Sequence, residues 1–353
     1  MDSRDQTLFL QEAVQAALDS GTPLNLVGGG SKAFYGRPAV GAPLSLNQHQ
    51  GIINYHPSEL VMTARAGTKL ADIEQTLAEH RQMLAFEPPH FADTATLGGA
   101  IACGLSGPRR PFTGSARDVV LGCKIINGKA EVLSFGGEVM KNVAGYDVSR
   151  LMVGAMGCLG LLLDISIKVL PKPDLTAGTC FELTASAALR AMTTLSRQSL
   201  PLSGLSYDGR LLYARFSGYE SAVRAALQKV GGDTPGSADF WQDLNEQRHA
   251  FFQTDSTLWR LAVPPATPEL AVPGEWLFDW GGGLRWLTSN APALKIFAAA
   301  GLARGHAVQF RAQDRTGDCF QPLTGKLQQL NRSVKQAFDP DGIFNPNRMY
   351  QDW

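Results

Sequence analysis

The sequence predicts an α+β protein built in more than one unit, and three observations carry that expectation. Short apolar strands alternate with amphipathic helices through the first half of the chain. Pro171-Lys172-Pro173 then breaks the pattern, and beyond it the order becomes strand, helix, strand, strand, helix. Finally, 353 residues exceed what one small core organises. With 44% hydrophobic and 18% charged residues the chain can bury sizeable cores. Lys plus Arg and Asp plus Glu are 32 each, which argues against electrostatic binding to nucleic acid or to an anionic membrane surface.

Leu10, Val14, Ala17 and Leu18 recur at helical spacing and stop before Gly21. Gln11, Glu12 and Gln15 interrupt that apolar run, so it does not read as a signal peptide. Residues 24–27 are a strand running into Gly28-Gly29-Gly30, residues 60–64 a second strand, and Gly67-Thr68 the turn and N-cap of a helix through about residue 79. Strands at 119–126 and 130–135 are joined by Asn127-Gly128, whose tolerance of positive φ signals a hairpin. A short helix ends near Met152, and residues 161–170 are again β-rich.

After the prolines, strands at 180–183, 204–207 and 211–216 with helices at 187–197 and 221–230 spell most of a split β-α-β-β-α-β, ferredoxin-like unit. Residues 258–263 are the expected closing strand. Residues 276–280 and 284–287 flank Gly281-Gly282-Gly283 as a hairpin, and a helix at 323–338 precedes the final segment. The expected domains are 1–172, 173–320 and a C-terminal segment 321–353.

The five cysteines form no C-x-x-C pair and lie in apolar contexts, which predicts reduced thiols, no chain-borne iron–sulfur or zinc site and a cytoplasmic location. No apolar stretch approaches the length of a membrane span. The six histidines show no metal-ligand spacing, so no metal is expected.

The 37 glycines cluster where backbone would approach a ligand. Gly28-Gly29-Gly30-Ser31-Lys32-Ala33 matches G-x-G-x-x-G/A, but residues 47–53 lack the acidic ribose partner and no crossover helix follows, which argues against a Rossmann site. The loop's small residues still allow successive N–H groups to converge on an anion, although an ordinary surface turn accounts for it equally well when taken alone. A second segment, 94–104, places Thr94 and Thr96 before a glycine pair able to open a helix N-terminus. Two such loops suggest a dinucleotide cofactor wedged between subdomains.

Five motifs then align: Gly28-Gly29-Gly30-Ser31, Ala95-Thr96-Leu97-Gly98-Gly99, Lys141-Asn142-Val143-Ala144-Gly145-Tyr146-Asp147, Gly157-Cys158-Leu159-Gly160 with Lys168 ahead of Pro171, and Asp339-Pro340 with Asn345-Pro346. In this order they resemble the flavoproteins of the vanillyl-alcohol oxidase / p-cresol methylhydroxylase family. The chain length and the segment Trp280-Gly281-Gly282-Gly283-Leu284-Arg285-Trp286 are most similar to the FAD-binding E subunits of bacterial glycolate oxidases.

The resemblance implies an FAD domain of the p-cresol methylhydroxylase type in two α+β subdomains and a smaller ferredoxin-like cap. It implies that Val27, Gly28, Gly29, Gly30, Ser31 and Lys32 meet the FAD pyrophosphate. Thr94, Thr96, Gly98, Gly99 and Ala102 meet pyrophosphate or ribose. Asp164 and Ile165 lie where strand backbone nears the adenine or the isoalloxazine edge, and Asn345 reaches the flavin ring. Tyr146 and Asp147 read as a helix start or a direct flavin contact. No tethering residue occupies the first loop, so FAD is expected to be non-covalent, and a β-branched residue at Gly29 is expected to fill the concavity with little loss of fold.

The family's H-x-G-D-G-N-x-H set of metal ligands and base is absent, His306 being the nearest histidine and more simply structural. For the cap, Arg285 is the side chain nominated to clamp a substrate carboxylate. The implied function is that of an FAD-binding subunit oxidising glycolate, or another 2-hydroxy acid, alongside a sister FAD-binding subunit and an iron–sulfur subunit, with any membrane association supplied by partners. A self-sufficient FAD-dependent oxidase, or a regulatory subunit with a vestigial flavin site, are the alternatives.

Overall fold

The computed structural model describes residues 4–137, 147–351 and 353. The chain divides into two compact units. The first comprises residues 1–105, 115–171 and 322–353; the second comprises 106–114 and 172–321.

The first unit is organised on a five-stranded antiparallel sheet in the order Ile52–His56, Val61–Arg65, Leu161–Lys168, Val120–Ile126, Val132–Gly136. Leu161, Leu163, Ile165 and Ile167 alternate into the core with Met62, Ala64, Ile125, Leu70, Ile73 and Leu77. The helix Leu70–Glu79 begins one residue later than Gly67-Thr68 suggested, because the Thr68 hydroxyl instead accepts from Gly51 N–H (2.8 Å). A separate parallel pair, Leu24–Val27 with Ala42–Ser45, takes on the C-terminal segment: Leu24 N–H donates to Ile343 O (2.7 Å) and Asn345 N–H to Leu24 O (2.9 Å).

The 120–136 hairpin forms, but its turn is not the two-residue kind that Asn127-Gly128 predicted. The loop spans five residues, with Asn127 N–H donating to Glu131 O (3.1 Å) and the positive φ falling on Ala130. Gly128 answers to a different demand, since an added Cβ would lie 2.6 Å from Asp339 Cα. Its N–H donates to Phe338 O (2.7 Å), so the glycine makes room for the C-terminal segment.

The second unit carries an antiparallel sheet of eight strands, in the order Thr234–Pro235, Leu175–Glu182, Leu211–Gly218, Leu202–Tyr207, Glu275–Asp279, Leu284–Thr288, Leu258–Ala262, His306–Arg311. The first four strands, with helices Ala185–Ser196 and Glu220–Val230, give the ferredoxin-like order. The closing strand is not 258–263 but the two-residue Thr234–Pro235, because Leu258–Ala262 pairs with Leu284–Thr288 and His306–Arg311. The expected hairpin around Gly281-Gly282-Gly283 is present.

The second unit also takes in a stretch outside the expected bounds 173–320. Residues 106–114 belong to the second unit: Trp280 Nε1 donates to Gly107 O (2.9 Å), Arg109 to Ser217 Oγ (3.4 Å), and Phe112 packs on the Leu205–Phe216–Phe278 core. No composition change marks that excursion, since its ties are to residues more than 100 positions away.

Candidate functional site

The first unit holds a cleft of about 440 Å³, including its open mouth, whose wall is mostly backbone and small side chains. Leu26 and Gly28 come from the end of the first strand and its loop, and Leu46 and Ala66 from neighbouring segments. Thr96, Gly98, Gly99 and Ala102 come from the helix Leu97–Cys103 and its N-cap. Met156, Gly157, Gly160 and Leu162 enter from the strand Leu161–Lys168 and the turn before it, and Asn345 from the C-terminal segment.

The glycines bring these elements within backbone distance. A Cβ on Gly28 would lie 2.6 Å from Thr96 Oγ1, one on Gly29 1.4 Å from Thr94 O, and one on Gly98 2.7 Å from Ala66 Cβ. No side chain of any size fits at these positions. The loop is stitched further by Thr94 Oγ1, which donates to Gly29 O (2.5 Å). Substitution of Gly29 therefore strikes the carbonyl of the second loop rather than filling the concavity, so the expected mild effect on the fold is overturned.

Among the described residues, no acceptor faces the N–H groups of Gly28, Gly29, Gly30 and Ser31. Successive donors of this kind, half-buried at residues 28, 29 and 31 and exposed at Gly30, form an anion cradle. Beside it, the buried Lys32 ammonium lies 3.3 Å from both Ser31 Oγ and His90 O and 5.5 Å from the Phe91 ring centroid. Burial pushes the Cys103 thiol up while Lys32 and then Arg348 act the opposite way, which places both cations near the residue following Ala102. An FAD diphosphate fits this cradle and this charge.

Other assignments change. The N-terminus of the helix Leu97–Cys103 has no donors to spare: Leu97 N–H goes to Thr68 O (2.9 Å), Gly98 N–H to Ala66 O (2.8 Å) and Gly99 N–H to Thr96 Oγ1 (3.2 Å). Thr94 spends its hydroxyl proton on Gly29 O, whereas Thr96 accepts from Gly99 N–H as the N-cap and keeps its own O–H as a donor on the cleft wall. Val27 uses its carbonyl to accept from Leu46 N–H (2.9 Å). Asp164 and Ile165 do not line the cleft; Gly160 and Leu162 do. Ile165 is in the core, and Asp164 instead faces His49 Nε2 (3.3 Å) and Lys124 Nζ (3.8 Å). Gln6 N–H donates to His49 Nδ1 (3.1 Å), so this group ties down the first helix.

Asn345 reaches the cleft, and its carboxamide also ties the protein together: Oδ1 accepts from Leu26 N–H (2.8 Å) and Nδ2 donates one proton to Met156 O (2.7 Å). The Asp339 motif supports it from behind. Buried Lys335 Nζ donates to Asp339 Oδ2 (2.6 Å), Cys158 O (2.7 Å) and Phe344 O (3.1 Å), and Asp339 also accepts from Ile343 and Phe344 N–H (3.1 and 2.9 Å). Residues 141–146 lie outside the described residues, Tyr146 with them. Asp147 caps the helix Val148–Met152 by accepting from Arg150 N–H (3.2 Å).

The reading of the sequence missed Leu26, Leu46, Ala66, Met156, Gly157, Gly160, Leu162 and Arg348. Gly157 and Gly160 had a signal, since they are the fixed points of a motif already quoted; an added Cβ at Gly157 would meet Asn345 Nδ2 at 2.6 Å. The apolar ones had none, being indistinguishable from core residues in sequence.

Arg285 is not a substrate clamp. Its side chain is fully buried in the second unit, with Nε donating to Gly282 O (2.7 Å) and a terminal nitrogen to Thr267 O (2.7 Å), and its guanidinium lies 4.4 Å from the Phe278 ring centroid. Burial lowers its pKa to about 10, with Glu269 opposing. Both prongs hold backbone carbonyls, so none is offered outward. Among the described residues, no three His, Cys, Asp or Glu side chains gather as a metal site would need.

Comparison with known proteins agrees with this geometry. Residues 6–136 match the family model described as an FAD binding domain. The chain is 48% identical to glycolate oxidase subunit GlcE of Escherichia coli over 99% of its own length and 98% of that protein. It is 30% identical to a D-lactate dehydrogenase of Anaerostipes hadrus and to glycolate oxidase subunit GlcD of Bacillus subtilis, in each case over 44% of this chain and about a third of the relative. Two crystal forms of alkyldihydroxyacetonephosphate synthase superpose with TM-scores of 0.64 and 0.65 at 15% and 16% identity, covering 95% of this chain and 74% of theirs, a likeness of fold. The glycine-built cleft, the anion cradle and a likeness that spans nearly the whole of both chains lead to one conclusion: the chain belongs to the GlcE family of FAD-binding glycolate oxidase subunits.

Proposed function

We propose that this chain is the FAD-binding E-type subunit of a glycolate oxidase complex and takes part in oxidising glycolate to glyoxylate. The observation that carries the reading is the likeness to GlcE along nearly the whole of both chains. The N–H groups of residues 28–31, with the Lys32 ammonium beside them, hold the diphosphate, Arg348 serving to tie the loop through the carbonyls of Ala33 and Arg37, and the cleft between Gly28, Gly98 and Gly160 takes uncharged parts of the cofactor. Charge-assisted donors contribute about 1.5–3 kcal/mol each, so a few suffice for tight binding.

FAD supplies the hydride acceptor when bound. In the overall reaction glycolate loses a hydride from its α-carbon and a proton from its hydroxyl. The chain's own part is to bind the cofactor, orient it through backbone contacts and keep its anionic end neutralised. Because no His, Asp, Glu or Lys lies among the described residues of the cleft wall, we assign removal of the hydroxyl proton to a sister flavin subunit, with an iron–sulfur subunit receiving electrons. Among the described residues the cleft wall carries no His or Cys, which supports non-covalent FAD; acid precipitation should release all flavin to the supernatant, and a yellow pellet would refute this.

The division of labour is tested by mixing the FAD-loaded chain with glycolate and a dye acceptor, alone and with the sister subunits. A general base contributes about 10²- to 10⁴-fold, so turnover should be residual alone and restored in the complex. Full-rate dye reduction by the chain alone overturns the assisting role.

A further inference from the structure

A surface helix of a globular unit turns its apolar residues to the core and its polar ones to water. Two helices of the second unit do so: Ala185–Ser196 presents Ser186, Arg190 and Thr194 outward, and Glu220–Val230 presents Glu220, Arg224 and Lys229. The helix Ala293–Leu302 does not. Its inner face, Ile296, Phe297 and Ala300, packs with Trp259, Leu261 and Leu287. Its outer face is apolar as well, with Leu294 79% and Leu302 89% exposed and Ala298 and Gly301 exposed between them.

Leu294, Ala298 and Leu302 recur every fourth residue, so they form one ridge along the helix, with the two leucines about 12 Å apart. The small residues between them leave a hollow bounded at both ends by a large side chain. Such a profile receives a protruding side chain of another protein by ridge-into-groove packing, whereas a lipid surface has no use for the hollow.

The rim of this face carries one sign of charge. Lys295 lies on the helix and Arg304 just beyond its end, both exposed, and from Trp280 to Gln313 the chain carries no carboxylate. A second copy of the helix laid antiparallel would set Lys295 against the copy's Arg304, and laid parallel would set each cation against its own counterpart. Like charges brought together in this way oppose association. The complement is therefore a different protein, whose apolar ridge is flanked by Asp or Glu.

We propose that the outer face of the helix Ala293–Leu302 is the docking surface for another subunit of the complex. That subunit presents an apolar side chain to the hollow at Ala298 and carboxylates to Lys295 and Arg304. Naming the partner as a subunit of the complex rests on the glycolate oxidase reading above.

The test is binding of the FAD-loaded full chain to the purified sister subunits, followed by sedimentation velocity. Leu294→Ser/Leu302→Ser removes both apolar anchors and should raise the dissociation constant by about 100-fold or more. Ala298→Arg, which fills the hollow, and Lys295→Glu/Arg304→Glu, which reverses the rim, should each raise it by about 10-fold or more. All five positions are exposed, so flavin content and melting temperature should stay close to those of the unsubstituted chain.

Assembly unchanged by the leucine pair or by Ala298→Arg overturns the docking face, and weakening by the leucine pair without weakening by the charge reversal overturns the acidic rim. Self-association of the unsubstituted chain that the leucine pair abolishes would assign the face to a second copy. Binding to phosphatidylglycerol vesicles that Ala298→Arg strengthens would assign it to a lipid surface; either result overturns the proposal. Failure of the unsubstituted chain to assemble with the sister subunits overturns the glycolate oxidase reading and the partner with it, whereas assembly that survives the substitutions overturns the docking face alone.

Discussion

The two units bring distant segments together with opposite materials. In the first, the cleft is made of backbone: Gly28, Gly98 and Gly160 line it, and donors at residues 28–31 supply its polarity. In the second, Arg110, Trp280 and Arg260 are large side chains brought together, Arg110 lying more than 100 residues from the other two in sequence. A backbone surface tolerates almost no substitution that adds a Cβ, but its side chains matter chiefly as staples. A side-chain surface should lose its contacts on a polar replacement while its fold survives.

The largest effect should come from the staple behind the cleft. Asp339→Ala strands the buried Lys335 ammonium, and removal of one partner of a buried pair costs about 3–5 kcal/mol. The urea midpoint measures this, and a change below about 1 kcal/mol would mean that the carbonyls of Cys158 and Phe344 satisfy Lys335 unaided.

Next is Gly29→Val, which must displace the Thr94 carbonyl and with it the cradle. Loss of two donors at about 1.5–3 kcal/mol each predicts FAD affinity reduced at least ~100-fold, together with a lower melting temperature. Flavin retained through gel filtration by a folded variant would move the diphosphate away from this loop.

Arg285→Met sharpens the contrast from the side of the second unit. Two buried carbonyls, Gly282 O and Thr267 O, lose their donor at about 1–3 kcal/mol each, while FAD binding in the first unit should not change. A rise in the dissociation constant of glycolate would restore Arg285 as a clamp. The smallest effect belongs to Gly30→Ala. Its Cβ meets nothing within 4 Å, but φ is +71°, so about 1–2 kcal/mol of backbone strain is expected with FAD still bound. Chemical denaturation and flavin titration on the same sample separate the two.

How much of this was legible in the sequence follows the same division. Gly28, Thr96, Gly98, Gly99, Ala102 and Asn345 were nominated from motifs and line the cleft, because residues forced to be small leave a local pattern. Thr94 and Asp164 were given ligand roles that the structure replaces with internal bonds, since a hydroxyl or carboxylate looks the same in sequence whether its partner is a cofactor or another part of the protein. The closing strand was misplaced for a related reason: Leu258–Ala262 has the stronger β pattern, yet Thr234–Pro235 is the segment that reaches Leu175–Glu182.

By itself the sequence determined the α+β class, the alternation of helix and strand in the first unit, the strand-helix-strand-strand-helix order that opens the second and the glycine loops, all consequences of periodicity and backbone sterics acting over a few residues. Tertiary structure alone decided that residues 106–114 cross into the second unit, that Gly128 makes room for Asp339, and that Arg285 turns inward while Arg110 and Arg260 meet on Trp280. Those outcomes depend on which distant group is within reach of a donor or a ring, and hydrogen bonds and packing are set by distance in space, which the local pattern of residues does not encode.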